Sequence, residues 1–131
     1  MPERLTVPID TLDAQSARIL EVLRHARFER LAPPMLQPAE LFLDLAGESL
    51  RARTYVFSDP EGEELCLRPD FTVPVCRHYL DEMARGRPGE ARYCYSGPVF
   101  RTQPGGGDAT HPREFRQEGL ESFAVADRER A

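Results

Sequence analysis

The stretch that decides the fold reads RYCYSGPVFR (residues 92–101), TQPGGGDATHPR (102–113) and EFRQEGLESF (114–123). Both flanks alternate in the manner of strands, and the glycine-rich segment between them has the composition of a loop. Because successive side chains of a strand point to opposite faces, one face of the second flank carries a ring, an amide, a bare backbone and a carboxylate in a row. These residues are Phe115, Gln117, Gly119 and Glu121. We therefore predict two paired strands that present a ligand-binding face.

The dimensions of this face suit a composite ligand. At about 3.3 Å per residue, the row from Phe115 to Glu121 spans roughly 20 Å, which accommodates a nucleotide at one end and an amino acid at the other. Arg101 ends the first flank at the mouth of the loop, where a guanidinium can bind a phosphate or a carboxylate. The pattern is equally compatible with a plain hairpin whose polar face is solvated. The length of the loop favours a functional or mobile segment.

Composition limits the classes of function. The chain has 131 residues, enough for one domain with a modest core. Its net charge of -5 and isoelectric point of about 5.2 provide no overall basic field for nucleic acid. All 17 basic residues are arginines, so the sequence offers no lysine nucleophile or Schiff-base lysine.

Cysteine and histidine positions predict neither a disulfide framework nor a metal site. The cysteines lack paired metal-ligand spacing, and the histidines form no ligand pattern. No apolar run approaches the roughly 20 residues of a membrane span, and no signal peptide is visible. These features favour a cytoplasmic protein without a membrane partner or a cofactor. The residues concerned are Cys66, Cys76, Cys94, His25, His78 and His111.

An amphipathic helix is predicted over residues 11–26, ahead of a proline-containing segment over residues 28–36. Consecutive prolines at Pro33 and Pro34 cannot donate to a strand ladder, so this segment is expected to be extended and to form an edge or an interface. A rigid connector is the alternative interpretation. The apolar face of the helix is assigned to Leu12, Ile19, Leu20, Leu23 and Ala26.

A hairpin and a second helix follow. Residues 53–57 and 64–68 are predicted as strands, because strong turn residues separate them. The second helix is predicted over residues 72–85, where Val75, Tyr79 and Met83 recur every four residues with Cys76 and Leu80 beside them. Asp70 and Thr72 are ordinary N-cap types for this helix, and that role alone would explain them.

The strand pair resembles the second signature motif of class II aminoacyl-tRNA synthetases. An aromatic–arginine pair, a loop and then Phe-x-Gln-x-Gly-x-Glu are the matching features, and the histidyl-tRNA synthetase branch is the nearest match. The resemblance implies that Arg101 holds the α-phosphate of ATP and that Phe115 stacks on adenine. It also implies that Gln117 and Glu121 hold the ammonium group of the amino acid.

Two further segments extend the resemblance. The first helix and the proline segment are similar to the first motif, which builds the dimer interface in the family, and Pro34 is the matching proline. The run LRPDFT (residues 67–72) is similar to the Leu-Arg-Pro-Glu-Gly-Thr run of histidyl-tRNA synthetases, whose glutamate and threonine contact the bound histidine. The resemblance assigns those contacts to Asp70 and Thr72. A pairing of the carboxylates with arginines such as Arg68 or Arg116 is the alternative.

Three departures separate the sequence from an active synthetase. Phe71 stands where the synthetase has glycine, and Gln103 stands where it has a glutamate that contacts the nucleotide. The loop around Gly105 to Gly107 is expected to lack the basic residues that steer ATP and tRNA. Together the departures predict that adenylation was lost while the fold and the amino-acid pocket persisted, so no catalytic residue is assigned.

A family with these properties is the regulatory subunit of ATP phosphoribosyltransferase, a synthetase paralogue of histidine biosynthesis. The run LRPDFT, preceded by QPAELFLD (residues 37–44), resembles it closely, and the resemblance covers residues 11–123. It implies a non-catalytic protein that binds the short catalytic subunit, is needed for its activity and takes part in feedback inhibition by histidine. A fragment of a histidine–tRNA ligase and a bare dimerising fragment are the alternatives.

The predicted fold is α+β, an antiparallel sheet that carries the site, with helices on one side. Residues 1–131 are interpreted as a class II synthetase-like core with the first and second motifs only, and residues 126–131 as a charged tail. Because a third motif is missing, we expect uncovered strand edges and apolar surface, and hence dimerisation or partner binding.

Overall fold

The computed structural model describes residues 7–45, 47–87, 89–108 and 110–124, and the tail predicted over residues 126–131 lies outside them. The described part contains helices and strands that alternate along the chain. The helices are α1 (Ile9–His25), α2 (Ala39–Leu45), α3 (Glu48–Arg51) and α4 (Thr72–Ala84). The strands are β1 (Glu29–Arg30), β2 (Leu36–Pro38), β3 (Val56–Ser58), β4 (Glu64–Leu67), β5 (Ala91–Phe100) and β6 (Glu114–Phe123).

Two three-stranded sheets organise these elements. The larger sheet has the order β1-β5-β6, in which β1 runs parallel to β5 and β6 runs antiparallel to it. The smaller sheet has the order β2-β4-β3 and is antiparallel throughout, so the predicted hairpin is confirmed. The single antiparallel sheet of the prediction is therefore divided in two, and one parallel strand joins the larger half.

The register of β5 and β6 shows which residues of β5 lie on the same side of the sheet as the row read from β6. Tyr93 pairs with Glu121, Tyr95 with Gly119, and Gly97 with Gln117. Directly paired residues of an antiparallel ladder point to the same side of the sheet, so β5 adds two tyrosines and a glycine to the row read from β6. The thirteen residues between the strands, 101–113, contain a 3-10 turn at Pro104–Gly106, in which Gly105 adopts a φ of 70° that favours glycine.

Helix α1 packs on the opposite face of this sheet. Ser16 is buried and donates a hydrogen bond to Oε1 of Glu118, and Arg116 donates to Asp13 at 2.9 Å. The helix lies where it was predicted, but the assignment of its apolar face is partly wrong. Ile19 is 44% exposed and Ala26 is also exposed, because the buried stripe passes through Ser16 and Leu20 instead.

Helix α4 lies on the site face, so the expectation of helices on one side is wrong. Pro74 and Val75 are buried, whereas Leu80 and Met83 are 63% and 47% exposed and contribute little to the contact with the sheet. The main core forms between α4 and β5, and it consists of Phe71, Val75, Tyr93, Tyr95 and Val99. The two faces of the large sheet are thus covered by different helices. The candidate site lies on the face covered by α4, where the start of α4 meets the end of β6.

A second, smaller core lies under the small sheet. Ala39 and Phe42 of α2 pack on Cys66 of β4, and all three are fully buried. Burial raises the pKa of the Cys66 thiol to about 11, so the thiol stays protonated and behaves as an apolar group. Within the described residues, no helix has the length and apolar character needed to cross a membrane.

Candidate functional site

Four predicted site residues meet where the start of α4 faces β6. The Thr72 hydroxyl donates to Oε1 of Glu121 at 2.9 Å, and the backbone N–H of Phe71 donates to Oε1 of Gln117 at 3.2 Å. Asp70 immediately precedes these donors, close enough to Glu121 for the two carboxylates to influence each other. These residues lie close together because the segment Arg68 to Phe71 connects β4 to α4 across the face of the large sheet.

Asp70 is the least satisfied group of the site. Among the described residues, its Oδ1 atom is buried without a hydrogen-bond partner. Burial raises the pKa of Asp70, and the Glu121 carboxylate adds to this effect. The backbone N–H groups of Val73 and Thr72 and the Arg101 guanidinium lower the pKa of Asp70 but do not offset burial. An incoming cation would therefore find an acceptor that lacks a partner.

Phe71 fills the space between the polar groups. Its ring is 1% exposed and stacks on Tyr95, with the ring centroids 4.5 Å apart and the planes 9° apart. The Arg68 guanidinium covers the Phe71 ring at 4.0 Å from its centroid. The result is a sandwich of guanidinium, phenyl and phenol on the sheet face, beside Gln117 and Glu121.

Arg68 is fixed by the main chain and not by the carboxylates. Its Nη1 donates to the Pro33 carbonyl at 2.6 Å, and its Nε donates to the Pro98 carbonyl at 2.9 Å. Arg116 donates to Asp13 and Ser16 on the opposite face of the sheet. The alternative pairing of Asp70 and Glu121 with these two arginines is therefore wrong.

Glycines on the two strands make room for the sandwich. A Cβ at Gly119 would lie 2.5 Å from the Tyr95 hydroxyl oxygen, and a Cβ at Gly97 would lie 2.7 Å from Nη2 of Arg68 and 3.0 Å from the Phe71 ring. Distances this short exclude a side chain at either position unless the rings move. The bare backbone predicted at Gly119 thus accommodates Tyr95.

The other end of the row carries the candidate nucleotide residues. Arg101 donates from Nε to the Pro69 carbonyl at 2.9 Å, and its guanidinium lies 5.1 Å from the Phe115 ring centroid. Gln103 donates to the Pro112 carbonyl at 3.1 Å. Arg101 and Phe115 are therefore adjacent, and internal contacts hold the arginine.

One basic side chain folds over the loop that was expected to lack basic residues. Arg113 approaches Gly106, where a Cβ would lie 3.2 Å from Nη2 of the arginine. Within the described part of the chain, Nε of Arg113 and Oε1 of Gln103 are buried and have no hydrogen-bond partner. Arg113 is the last residue of the loop read from the sequence (residues 102–113), so the expectation of a loop without basic residues overlooked it.

Sequence reasoning missed two residues of the amino-acid end. The Tyr95 hydroxyl donates to Oε1 of Glu121 at 3.3 Å, and burial, followed by the charge of Glu121, raises the pKa of Tyr95. Cys76, on the second turn of α4, has its thiol pKa raised by burial and then by Glu121 and Asp70. The pairing of Tyr95 with Gly119 follows from the strand register, so a register prediction would have found Tyr95.

The segment around Pro34 borders a separate cleft. Its volume is about 440 Å³, and its walls include Leu31, Pro33, Pro34, Leu36, Pro74 and Arg77. The Pro34 carbonyl accepts a hydrogen bond from Nε2 of Gln37 at 2.7 Å, which ties the segment to β2. Met35 and Leu36 are 49% and 50% exposed beside the cleft.

The polar groups at the start of α4 and on the facing strands are oxygen acceptors and hydroxyls. In the described residues, no group of three or more His, Cys, Asp or Glu side chains is placed to hold a metal ion. Two carboxylates, an amide oxygen and two hydroxyls instead lie near one another, and internal hydrogen bonds engage the Gln117 amide oxygen and Oε1 of Glu121. An α-ammonium group offers three donors and is the ligand that such acceptors suit.

Solved structures with the same architecture define the class of protein. A Bacillus halodurans protein described as an ATP phosphoribosyltransferase regulatory subunit/histidyl-tRNA synthetase is 25% identical, with a TM-score of 0.74 over 94% of this chain and 31% of that one. A histidine–tRNA ligase subunit from Alicyclobacillus acidocaldarius is 22% identical and has a TM-score of 0.74 over 99% of this chain and 37% of that one. The domain thus has the class II aminoacyl-tRNA synthetase-like fold.

The family follows from the sequence match. A family model for histidyl-tRNA synthetase matches residues 6–131, and the chain belongs to that family. A Rhizobium etli protein named ATP phosphoribosyltransferase regulatory subunit is 43% identical over 89% of this chain. An Agrobacterium fabrum protein of the same name is 40% identical over 92% of this chain. The chain spans 29% and 30% of the length of these two curated relatives.

Proposed function

We propose that the chain belongs to a non-catalytic regulatory subunit of ATP phosphoribosyltransferase, which acts in histidine biosynthesis. The observation that carries the proposal is the relationship to proteins of that name, at 43% and 40% identity over about nine-tenths of the chain. By comparison, the solved histidine–tRNA ligase subunit and the Staphylococcus aureus histidyl-tRNA synthetase are each 22% identical to this chain. The proposed partner is the short catalytic subunit, and the proposed location is the cytoplasm.

The site geometry supports a role without amino-acid activation. Arg101 is engaged by the Pro69 carbonyl, and Gln103, an amide, supplies no negative charge. The buried Phe71 ring occupies the space beside Gln117 and Glu121, the residues assigned to the amino acid. Activation of an amino acid requires contacts that strengthen in the transition state, and these substitutions weaken such contacts. Arg101 and Phe115 are thus proposed as a vestigial nucleotide site.

The amino-acid end is proposed as the effector site. Asp70, Thr72, Gln117 and Glu121 would take the α-ammonium group of L-histidine, with the unpartnered Oδ1 of Asp70 as one acceptor. The end product of the pathway would then bind to the regulatory chain. Within the protein, the extended segment at Pro34 is proposed as the contact between two copies, because Met35 and Leu36 expose apolar surface there.

A histidine–tRNA ligase is the second candidate, and the family match favours it. Histidine-dependent exchange of pyrophosphate into ATP separates the two candidates. We expect exchange by the full-length protein to stay at background, with an active histidyl-tRNA synthetase as the positive control. Exchange that scales with protein concentration would contradict the regulatory proposal and establish the ligase.

A further inference from the structure

The acceptors of the candidate ammonium pocket are already engaged by the chain itself. Gln117 accepts the Phe71 backbone N–H at 3.2 Å, and Glu121 accepts the hydroxyls of Thr72 and Tyr95 at 2.9 Å and 3.3 Å. These three donors take the places that the N–H groups of an ammonium would take. Of the pocket's polar atoms, Oδ1 of Asp70 stays without a partner among the described residues.

The apolar part of the pocket is filled in the same way. The Phe71 ring lies between a guanidinium at 4.0 Å and a parallel phenol ring at 4.5 Å, and it is 1% exposed. Such a slot is flat, aromatic on one side and cationic on the other. It fits one planar ring, and the Phe71 ring is the one inside it.

We propose that Phe71 is an internal ligand, and that an amino acid with a planar aromatic side chain binds this site by displacing the Phe71 ring from the slot between Arg68 and Tyr95. The inference rests on the proposed effector site and states its ligand class and its regulation. The closed form has the Phe71 ring in the slot and its N–H on Gln117. The liganded form has the ligand ring in the slot and the ligand ammonium at Asp70, Gln117 and Glu121.

Displacement makes the apparent affinity of the wild-type site lower than its intrinsic affinity. A binding-competent form that is populated in a small fraction of molecules reduces the apparent affinity by that fraction. The ring stack and the cation–π contact of Phe71 both stabilise the closed form. Removing the ring should therefore strengthen the binding of a ring-bearing ligand, which is the opposite of what happens when a wall residue is removed.

The test is calorimetric titration of L-histidine and L-alanine into the full-length protein and its variants. Phe71→Gly should bind L-histidine more tightly than the wild type by about tenfold or more, because no ring has to leave the slot. L-Alanine has the same ammonium group but no ring to place in the vacated slot, so any gain in its affinity should be smaller than the gain for L-histidine. Phe42→Ala is the matched control, since Phe42 is fully buried in the other core and its loss should alter neither affinity.

A second variant covers the case in which Phe71→Gly does not fold. Phe71→Leu keeps apolar volume but loses the planar contacts, and it should raise the affinity for L-histidine several-fold. Weaker or unchanged histidine binding by the folded Phe71 variants, or no histidine binding by any form of the protein, would overturn the inference. The activity of the reconstituted enzyme complex tests the regulatory role separately. An activated complex whose histidine affinity ignores Phe71 would leave that role intact.

Discussion

The hydroxyl of Thr72, at the first residue of α4, donates to Oε1 of Glu121 in β6 over 2.9 Å. The Tyr95 hydroxyl donates to the same carboxylate oxygen from the neighbouring strand at 3.3 Å. One carboxylate thus joins the start of a helix to both long strands of the large sheet. In the proposed effector site the same oxygen would accept from the ligand ammonium, which would link ligand binding to the position of α4 at this residue.

The first prediction concerns the two carboxylates. Removing a carboxylate that meets a buried ammonium should cost about 2–5 kcal/mol of binding free energy. Glu121→Ala and Asp70→Ala should therefore weaken the histidine sensitivity of the full-length protein by about tenfold or more. Calorimetric titration and inhibition curves of the complex with the catalytic subunit measure this effect.

Arg101→Ala is the internal control for the carboxylate variants. The Arg101 guanidinium contacts the Pro69 carbonyl and the Phe115 ring at the other end of the row. Its removal should affect histidine sensitivity less than either carboxylate variant. A wild-type histidine response in both carboxylate variants would show that the effector binds elsewhere.

The second prediction concerns the contact of Gly119 with Tyr95. A methyl group at Gly119 would overlap the Tyr95 ring, which cannot retreat because it stacks on Phe71. Gly119→Ala should reduce the free energy of unfolding by about 1–3 kcal/mol, measured by urea denaturation. Gly89→Ala is the control, because a Cβ there meets nothing within 4 Å. Equal stability of the two variants would mean that Tyr95 does not occupy the space over Gly119.

The third prediction concerns the protonation of Asp70. Burial raises the pKa of Asp70 above its ordinary value of 3.8, so the folded protein holds the proton more tightly than the unfolded chain. The contribution of Asp70 to the free energy of unfolding is then fully present below pH 3.8, and it declines as the pH rises through the pKa of Asp70 in the folded protein. Asp70→Asn removes this decline, so its urea midpoint should exceed the wild-type midpoint at pH 7 and converge with it at acid pH. A pH-independent difference between the two proteins would exclude a raised pKa.

The fourth prediction concerns self-association through residues 11–42. The full-length protein should sediment as a dimer at micromolar concentration, with an isologous twofold contact. Leu36→Glu places a charge on exposed apolar surface beside the cleft at Pro34 and should shift the protein toward monomer. Leu120→Glu, at a comparably exposed leucine of β6, should leave the dimer intact. A wild-type monomer would count against an interface in this segment.

Much of the fold was predictable because local patterns determine it. The alternation along residues 92–101 and 114–123 placed β5 and β6, and the positions of glycine and proline placed the ends of α4. The row Phe115, Gln117, Gly119 and Glu121 followed from strand parity alone. Strand β1 lies at a sheet edge within the segment predicted to be extended, but its parallel pairing with β5 was not predictable, because its two residues pair through contacts that are distant in sequence.

The internal occupation of the site was also hidden from the sequence. Phe71 was recognised as a departure from glycine, but its partners are Arg68, which follows β4, and Tyr95 of β5. The stacking on Tyr95 and the cover by Arg68 depend on strand register and on the path of the chain before α4. Likewise, Ser16 is buried on α1 because its hydroxyl donates a hydrogen bond to Glu118 in β6. Hydrophobic periodicity does not detect such a polar contact.

The central claim is that this chain belongs to a regulatory subunit. The most direct measurement is the rate of ATP phosphoribosyl transfer by the short catalytic subunit, with and without the full-length protein, and with increasing L-histidine. We expect the full-length protein to raise the rate and histidine to lower it again. An unchanged rate across a range of protein concentrations, together with histidine-dependent pyrophosphate exchange, would contradict the regulatory assignment.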